Sequence, residues 1–171
     1  MASNVPPAVQ ELYEKMREER LALLQALRSF TEEQANVHPG GEWSLKQQLA
    51  HLANAERAWR DWGLGIRKQP GLVFGPTIEQ DQPLHSRGDE TDQLSLRYWV
   101  TRLKTVRAET LHLLREADLQ EQDLVHMGRH RGFGEMNVIQ ALRSLYRHDR
   151  MHVDQATGKE PTYQPGRRPA P

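Results

Sequence analysis

Apolar side chains recur at steps of three and four through Val9, Leu12, Tyr13, Met16, Leu23, Leu24, Leu27 and Phe30. That spacing marks the buried face of an amphipathic helix, and Pro6 and Pro7 suit its first turn. Thr31-Glu32-Glu33-Gln34 is a capping box, in which a hydroxyl and a side-chain amide satisfy free backbone groups at a helix start. A short turn is expected there before Pro39-Gly40-Gly41 breaks it. Ser44-Leu45-Lys46-Gln47 repeats the signature and opens a second helix over about 45–62. Leu96, Val100, Leu103, Val106, Leu113 and Leu114 form the stripe of a third helix, with Thr91 as its N-cap and an end near Ala117. Asn137-Val138-Ile139-Gln140 is a further capping box, and Val138, Ala141, Leu142, Leu145 and Tyr146 define a fourth helix closed by Gly158 and Pro161.

Between the second and third helices, residues 63–90 are rich in glycine and proline and show little periodicity, a long connection for a compact domain and one that could serve as a lid. Residues 117–127 read as a turn or short helix. No paired alternating runs demand a sheet; the stretch 72–79 supplies at most an isolated extended piece. The fold expected is all-α, a four-helix bundle, in which ligand sites are built from side chains on facing helices. At 171 residues the chain suits one domain, 1–160, followed by a tail at 161–171 expected to be disordered.

Charge removes several functions from consideration. The 23 basic and 23 acidic residues cancel, and neither sign forms a long block, so no nucleic-acid or anionic-membrane partner is expected. There is no apolar leader core and no run long enough to span a bilayer, which reads as a cytoplasmic protein. Without cysteine, disulfides, thiolate zinc sites and a cysteine nucleophile are excluded, leaving eight histidines and the carboxylates as strong metal ligands.

His148 and His152 are four residues apart on the fourth helix. They stand about 40° apart around its axis and about 6 Å apart along it, which lets both reach one ion. They continue the stripe of Leu142 and Leu145, toward the bundle interior. The alternative is a half-exposed pair favoured by the negative end of the helix dipole. His51, on the second helix with Gln48, Ala55, Ala58 and Trp62, would taken alone be a satisfied core histidine. Together the two helices offer the ligand count of an open three-histidine site.

Trp43-Ser44, His51-Leu52 and Glu56, followed by His148, His152 and Gln155, resemble the DinB/YfiT-like family of metalloenzymes. That family is a four-helix bundle whose second helix carries W-S/T-x-x-x-x-x-x-H-L-x-x-x-E and whose last long helix carries H-x-x-x-H-x-x-Q. The resemblance covers residues 12–155. It implies a divalent metal, zinc or nickel, held by His51, His148 and His152 with coordination positions left open for a small-molecule substrate. It also implies hydrolysis by a metal-activated water, or transfer or isomerisation with a low-molecular-weight thiol in the same position. A third reading is a stress-related binding or dimerisation module in which the metal only ties helices together. Homodimers are common in families of this kind, and one is expected here.

Four further residues are expected around the ligands. Asp149 lies about 100° around its helix from His148, and Glu56 about 140° from His51, so both are expected as hydrogen-bond partners behind the ligands or between helices. Gln155 faces the site, and Trp62 lines the pocket from the His51 face. Trp43 is expected to pack at the entrance of the second helix, and His126 and His130 to be solvated loop residues.

Overall fold

The computed structural model describes residues 5–75, 89–160 and 162–163. Pro7–Ala26 (α1) starts with proline at its first position, where no amide is needed. Glu32–Ala35 (α2), Leu45–Lys68 (α3) and Val138–Ala156 (α7) all start at the capping boxes, with both reciprocal hydrogen bonds made. Asp89–Gln93 (α4) and Glu121–Leu124 (α6) are short, and Leu96–Glu116 (α5) completes the bundle.

The four long helices share a core in two apolar clusters. One holds Leu12 and Met16 of α1, Trp62 and Ile66 of α3, Leu114 of α5 and Leu142 of α7. The other holds Leu23 of α1, Leu49 and Leu52 of α3, and Leu103 and Val106 of α5, with Val153 of α7 packed against it. So α1 and α7 enter the first cluster with their N-terminal halves, whereas α3 and α5 enter it with their C-terminal halves. Consecutive helices α3 and α5 therefore run the same way. The connection has to return the chain from the C-terminal end of α3 to the N-terminal end of α5, and the 24 residues of α3 span about 36 Å. That return explains the length of the connection; its residues 76–88, with the expected lid, lie outside the described residues.

Three expectations need correction. Helix α3 continues to Lys68 through Gly63 and Gly65, because Gly63 gives Leu142 and Ala141 of α7 room to approach; a Cβ there would lie 2.8 Å from Leu142 Cδ2. Helix α5 is capped by Ser95, whose hydroxyl accepts from Tyr98 N, while Thr91 belongs to α4. A sheet is present: Val73–Phe74 (β1) pairs in parallel with Met127–His130 (β2), which pairs antiparallel with Gly134–Asn137 (β3). Beyond α7, the Thr162 amide and hydroxyl both donate to Asp154 Oδ2, at 2.8 and 2.7 Å, and Arg147 lies 5.3 Å from the Tyr163 ring. Residues 164–171 lie outside the described residues.

The sheet closes one end of the bundle against α3. Gly128 of β2 is the contact point, since a methyl there would come within 2.5 Å of Ile66 Cγ1 and 3.1 Å of the Leu72 carbonyl oxygen. Gly128→Ala is expected to destabilise the protein by about 1–3 kcal/mol through overpacking. Urea denaturation measures this, and an unchanged midpoint would mean that the sheet yields freely. No described helix is long and apolar enough to cross a membrane.

Candidate metal centre

The cap of α3 sets the height of His51. Ser44 Oγ accepts from Gln47 N and donates to Asp92 Oδ1 at 2.5 Å, while Lys46 Nζ reaches the Asp92 carbonyl at 2.9 Å. These bonds tie α4 to the first turn of α3 and fix that helix start. His51 follows two turns later. On α7, His148 and His152 occupy the turns beyond Leu145 and Asp149, with His152 buried and His148 half-buried.

The three rings are neighbours. Ring centroids are 5.0 Å apart for His51 and His148, 4.9 Å for His148 and His152, and 6.4 Å for His51 and His152. The Nε2 atoms of His148 and His152 face each other at 3.3 Å. Two nitrogens each about 2.0–2.1 Å from one ion would stand at such a separation, at a roughly tetrahedral angle. His152 Nδ1 is buried with no hydrogen-bond partner among the described residues. Trp43 stands edge-on to His51, with centroids 5.3 Å apart and planes at 63°.

Electrostatics keep the pair on α7 uncharged. Burial is the main cause that pushes His148 well below the usual imidazole range, aided by His152, His51 and Arg20. His152 is pushed down to about 3 by burial, then by His51 and Arg20, with Gln155 opposing. Neutral imidazole is the form that donates a lone pair to a metal. In kind, then, the donor set fits a divalent ion, and two of its nitrogens already have the spacing. Among the described residues no group of three or more histidine, aspartate or glutamate side chains is closed around one point, so the His51 ring stands beside that pair rather than completing a cage.

Glu56 and Asp149 lie behind the histidines in an ion cluster drawn from all four long helices. Arg20 of α1 donates through Nε and Nη2 to Asp149 at 3.0 and 2.8 Å, and through the same Nη2 to Glu56 at 2.6 Å. Arg107 of α5 donates to both Glu56 oxygens, at 2.8 and 3.2 Å, and to Asp149 at 3.0 Å. Each guanidinium also meets a backbone carbonyl of the other's helix: Arg20 that of Leu103 at 2.6 Å, and Arg107 that of Met16. All four side chains are at most 5% exposed. Burial pushes the Glu56 carboxyl up, but Arg107 and Arg20 together outweigh it and hold the group below the usual range. Arg20 is affected by burial in the opposite sense, and Asp149 and Glu56 raise it above the ordinary guanidinium range.

Trp62, expected at the pocket, packs three turns further along α3, stacked on Phe74 with its Nε1 donating to the Leu72 carbonyl. The tryptophan beside His51 is Trp43, because the chain folds back at the 39–41 turn just before the helix. His130 also departs from its expectation. It is 4% exposed, stacked on Trp59 at 5.0 Å and 9°, and its Nδ1 accepts from the amides of Gly132 and Phe133. The two guanidiniums carried a signal in the sequence: Arg20 falls in the Leu12, Met16, Leu23 stripe and Arg107 in the Leu103, Thr110, Leu114 stripe, where solvated charges do not belong.

A sequence model of the DinB superfamily matches residues 13–156. No curated protein matches the chain significantly. Among solved structures, YfiT from Bacillus subtilis is similar with a TM-score of 0.72 at 18% identity, over 87% of this chain and 83% of that one. It is described as a probable metal-dependent hydrolase with an unusual four-helix bundle topology.

Proposed function

Because the chain belongs to the DinB superfamily, we propose that it is a divalent-metal-dependent enzyme, with His51, His148 and His152 as the metal ligands and hydrolysis of a small molecule as its reaction. The observation that carries this is the pair of neutral imidazoles whose Nε2 atoms face one another at 3.3 Å, with the His51 ring alongside. The described function of YfiT supports the same reaction class.

When bound, a zinc or nickel ion would supply Lewis acidity, making a water at its open position a nucleophile near neutral pH. The chain's own residues prepare for that. Burial keeps His148 and His152 unprotonated, so ligation displaces no proton from them. Trp43 lies against the His51 ring and gives that side of the site an aromatic wall. Glu56 and Asp149 are engaged by guanidiniums, and among the described residues no carboxylate joins the three nitrogens. Three neutral imidazoles would leave the charge of a bound ion undiminished, favouring a more acidic water than a carboxylate ligand would.

Protein purified without a histidine tag is expected to carry about one equivalent of zinc or nickel by elemental analysis, and His51→Ala to carry far less while keeping its helical circular dichroism. Screening esters, amides and phosphoesters would then give turnover with water alone. Turnover that appears only on adding a thiol would move the assignment to group transfer, and equal metal content in wild type and His51→Ala would remove the site.

A further inference from the structure

We propose that the buried Arg20–Glu56–Asp149–Arg107 cluster is a positioning clamp that sets where His51 on α3 stands relative to His148 and His152 on α7. The role rests on the metal reading above. Glu56 is five residues after His51, and Asp149 directly follows His148, so each ligand-bearing helix presents one carboxylate to the cluster close to its own imidazoles. Two nitrogen atoms bridge those carboxylates. Arg20 Nη2 lies 2.6 Å from Glu56 and 2.8 Å from Asp149, and Arg107 Nη2 lies 3.2 and 3.0 Å from the same two groups. Helix α3 is thus joined to α7 through single atoms, and the guanidiniums are themselves held by carbonyls on α1 and α5.

Stability alone is a poor reason for such an arrangement. Buried ion sets can often be replaced by apolar side chains with no loss of stability. What hydrogen bonds add over apolar contact is fixed length and direction. Elsewhere the α3–α7 crossing includes small and apolar residues such as Gly63, Ala141 and Leu142, which tolerate sliding. Metal ligands require nitrogen positions held to about ±0.2 Å. A helix is stiff over one turn, so gripping Asp149 and Glu56 fixes both the rotation and the height of the neighbouring rings. These residues act through the histidines and touch no substrate.

The test uses Arg20→Lys, which keeps the charge but loses the fork, and a quadruple variant with Arg20→Met, Glu56→Met, Arg107→Met and Asp149→Leu, which removes the ions together. In metal-free protein, an NOE between the His51 and His148 rings is expected in wild type and is expected to be lost in folded variants. Zinc affinity, measured by competition with a chelator, should fall about 10–100-fold in the same variants. Folded variants that keep the NOE and bind zinc within threefold of wild type overturn the proposal, whatever their melting temperature. If wild type binds no zinc, the metal reading fails, and the NOE alone decides: its loss in either folded variant upholds the clamp and its persistence overturns it. If the quadruple variant does not fold, Arg20→Lys gives the answer.

Discussion

Asp149→Ala should destabilise the protein by about 3–5 kcal/mol, because it leaves two buried guanidiniums facing one carboxylate. The side chain is 0% exposed, so solvent cannot take over its partners without opening the junction of four helices. Against a typical stability of about 5–15 kcal/mol this is a large fraction, and for a chain of this size it corresponds to a melting-temperature drop of roughly 6–20 °C. Urea or thermal denaturation followed by circular dichroism measures it. Asp149→Asn, which keeps shape and one acceptor, should lose less. The informative comparison is Asp149→Ala combined with Arg107→Met, which restores neutrality. If the charge imbalance is the cause, the double variant will be more stable than the sum of the single changes requires. A loss under about 1 kcal/mol in Asp149→Ala would mean that water reaches the guanidiniums.

The same cluster marks where local pattern stops being informative. Capping boxes at Thr31, Ser44 and Asn137 are legible because each is made within four residues, and the structure forms all three. The bundle is legible from its stripes. Its helix directions are not, since they depend on which ends share a cluster, and the parallel α3–α5 pair surfaces in the sequence only as a long unpatterned connection. Gly63 reads as a breaker, yet it serves a helix crossing formed with residues nearly eighty positions away. The sheet is missed because β1 is two residues long and pairs with residues 129 and 130. At the candidate site, spacing alone gives His148 and His152 a shared face, and the structure brings the His51 ring beside them. Helical angle places Trp62 on the His51 face and carries no information on Trp43, which precedes the helix. Arg20 and Arg107 surface in the sequence only as charges that interrupt apolar stripes, as Glu56 and Asp149 do, at the level between the two core clusters.

Acidification should destabilise the metal-free protein well before the carboxylates titrate. His152 is held down to about 3 in the fold, while in the unfolded chain an imidazole titrates near 6.5. Below about 6.5 the unfolded state therefore binds a proton that the folded state refuses, and stability falls with pH by about 1.4 kcal/mol per unit for this one group. The contribution is complete above 6.5 and is lost progressively as pH drops toward 3. By pH 4.5 the loss from His152 reaches roughly 3 kcal/mol, and His148, shifted the same way by burial, adds to it. Glu56 does not mask this window. Its carboxyl is held below the ordinary range, so its contribution is retained at pH 4.5 and disappears only in stronger acid. Urea midpoints at pH 7, 6 and 5 in the presence of a chelator should decline steadily, and His152→Asn should flatten the slope by about one proton's worth. Zinc binds the neutral form that folded His148 and His152 already hold, so adding it should raise the midpoints without adding a proton from these two groups to the slope. A metal-free stability that stays level from pH 7 to 5 would mean that the α7 imidazoles accept protons in the folded state and that water enters between them.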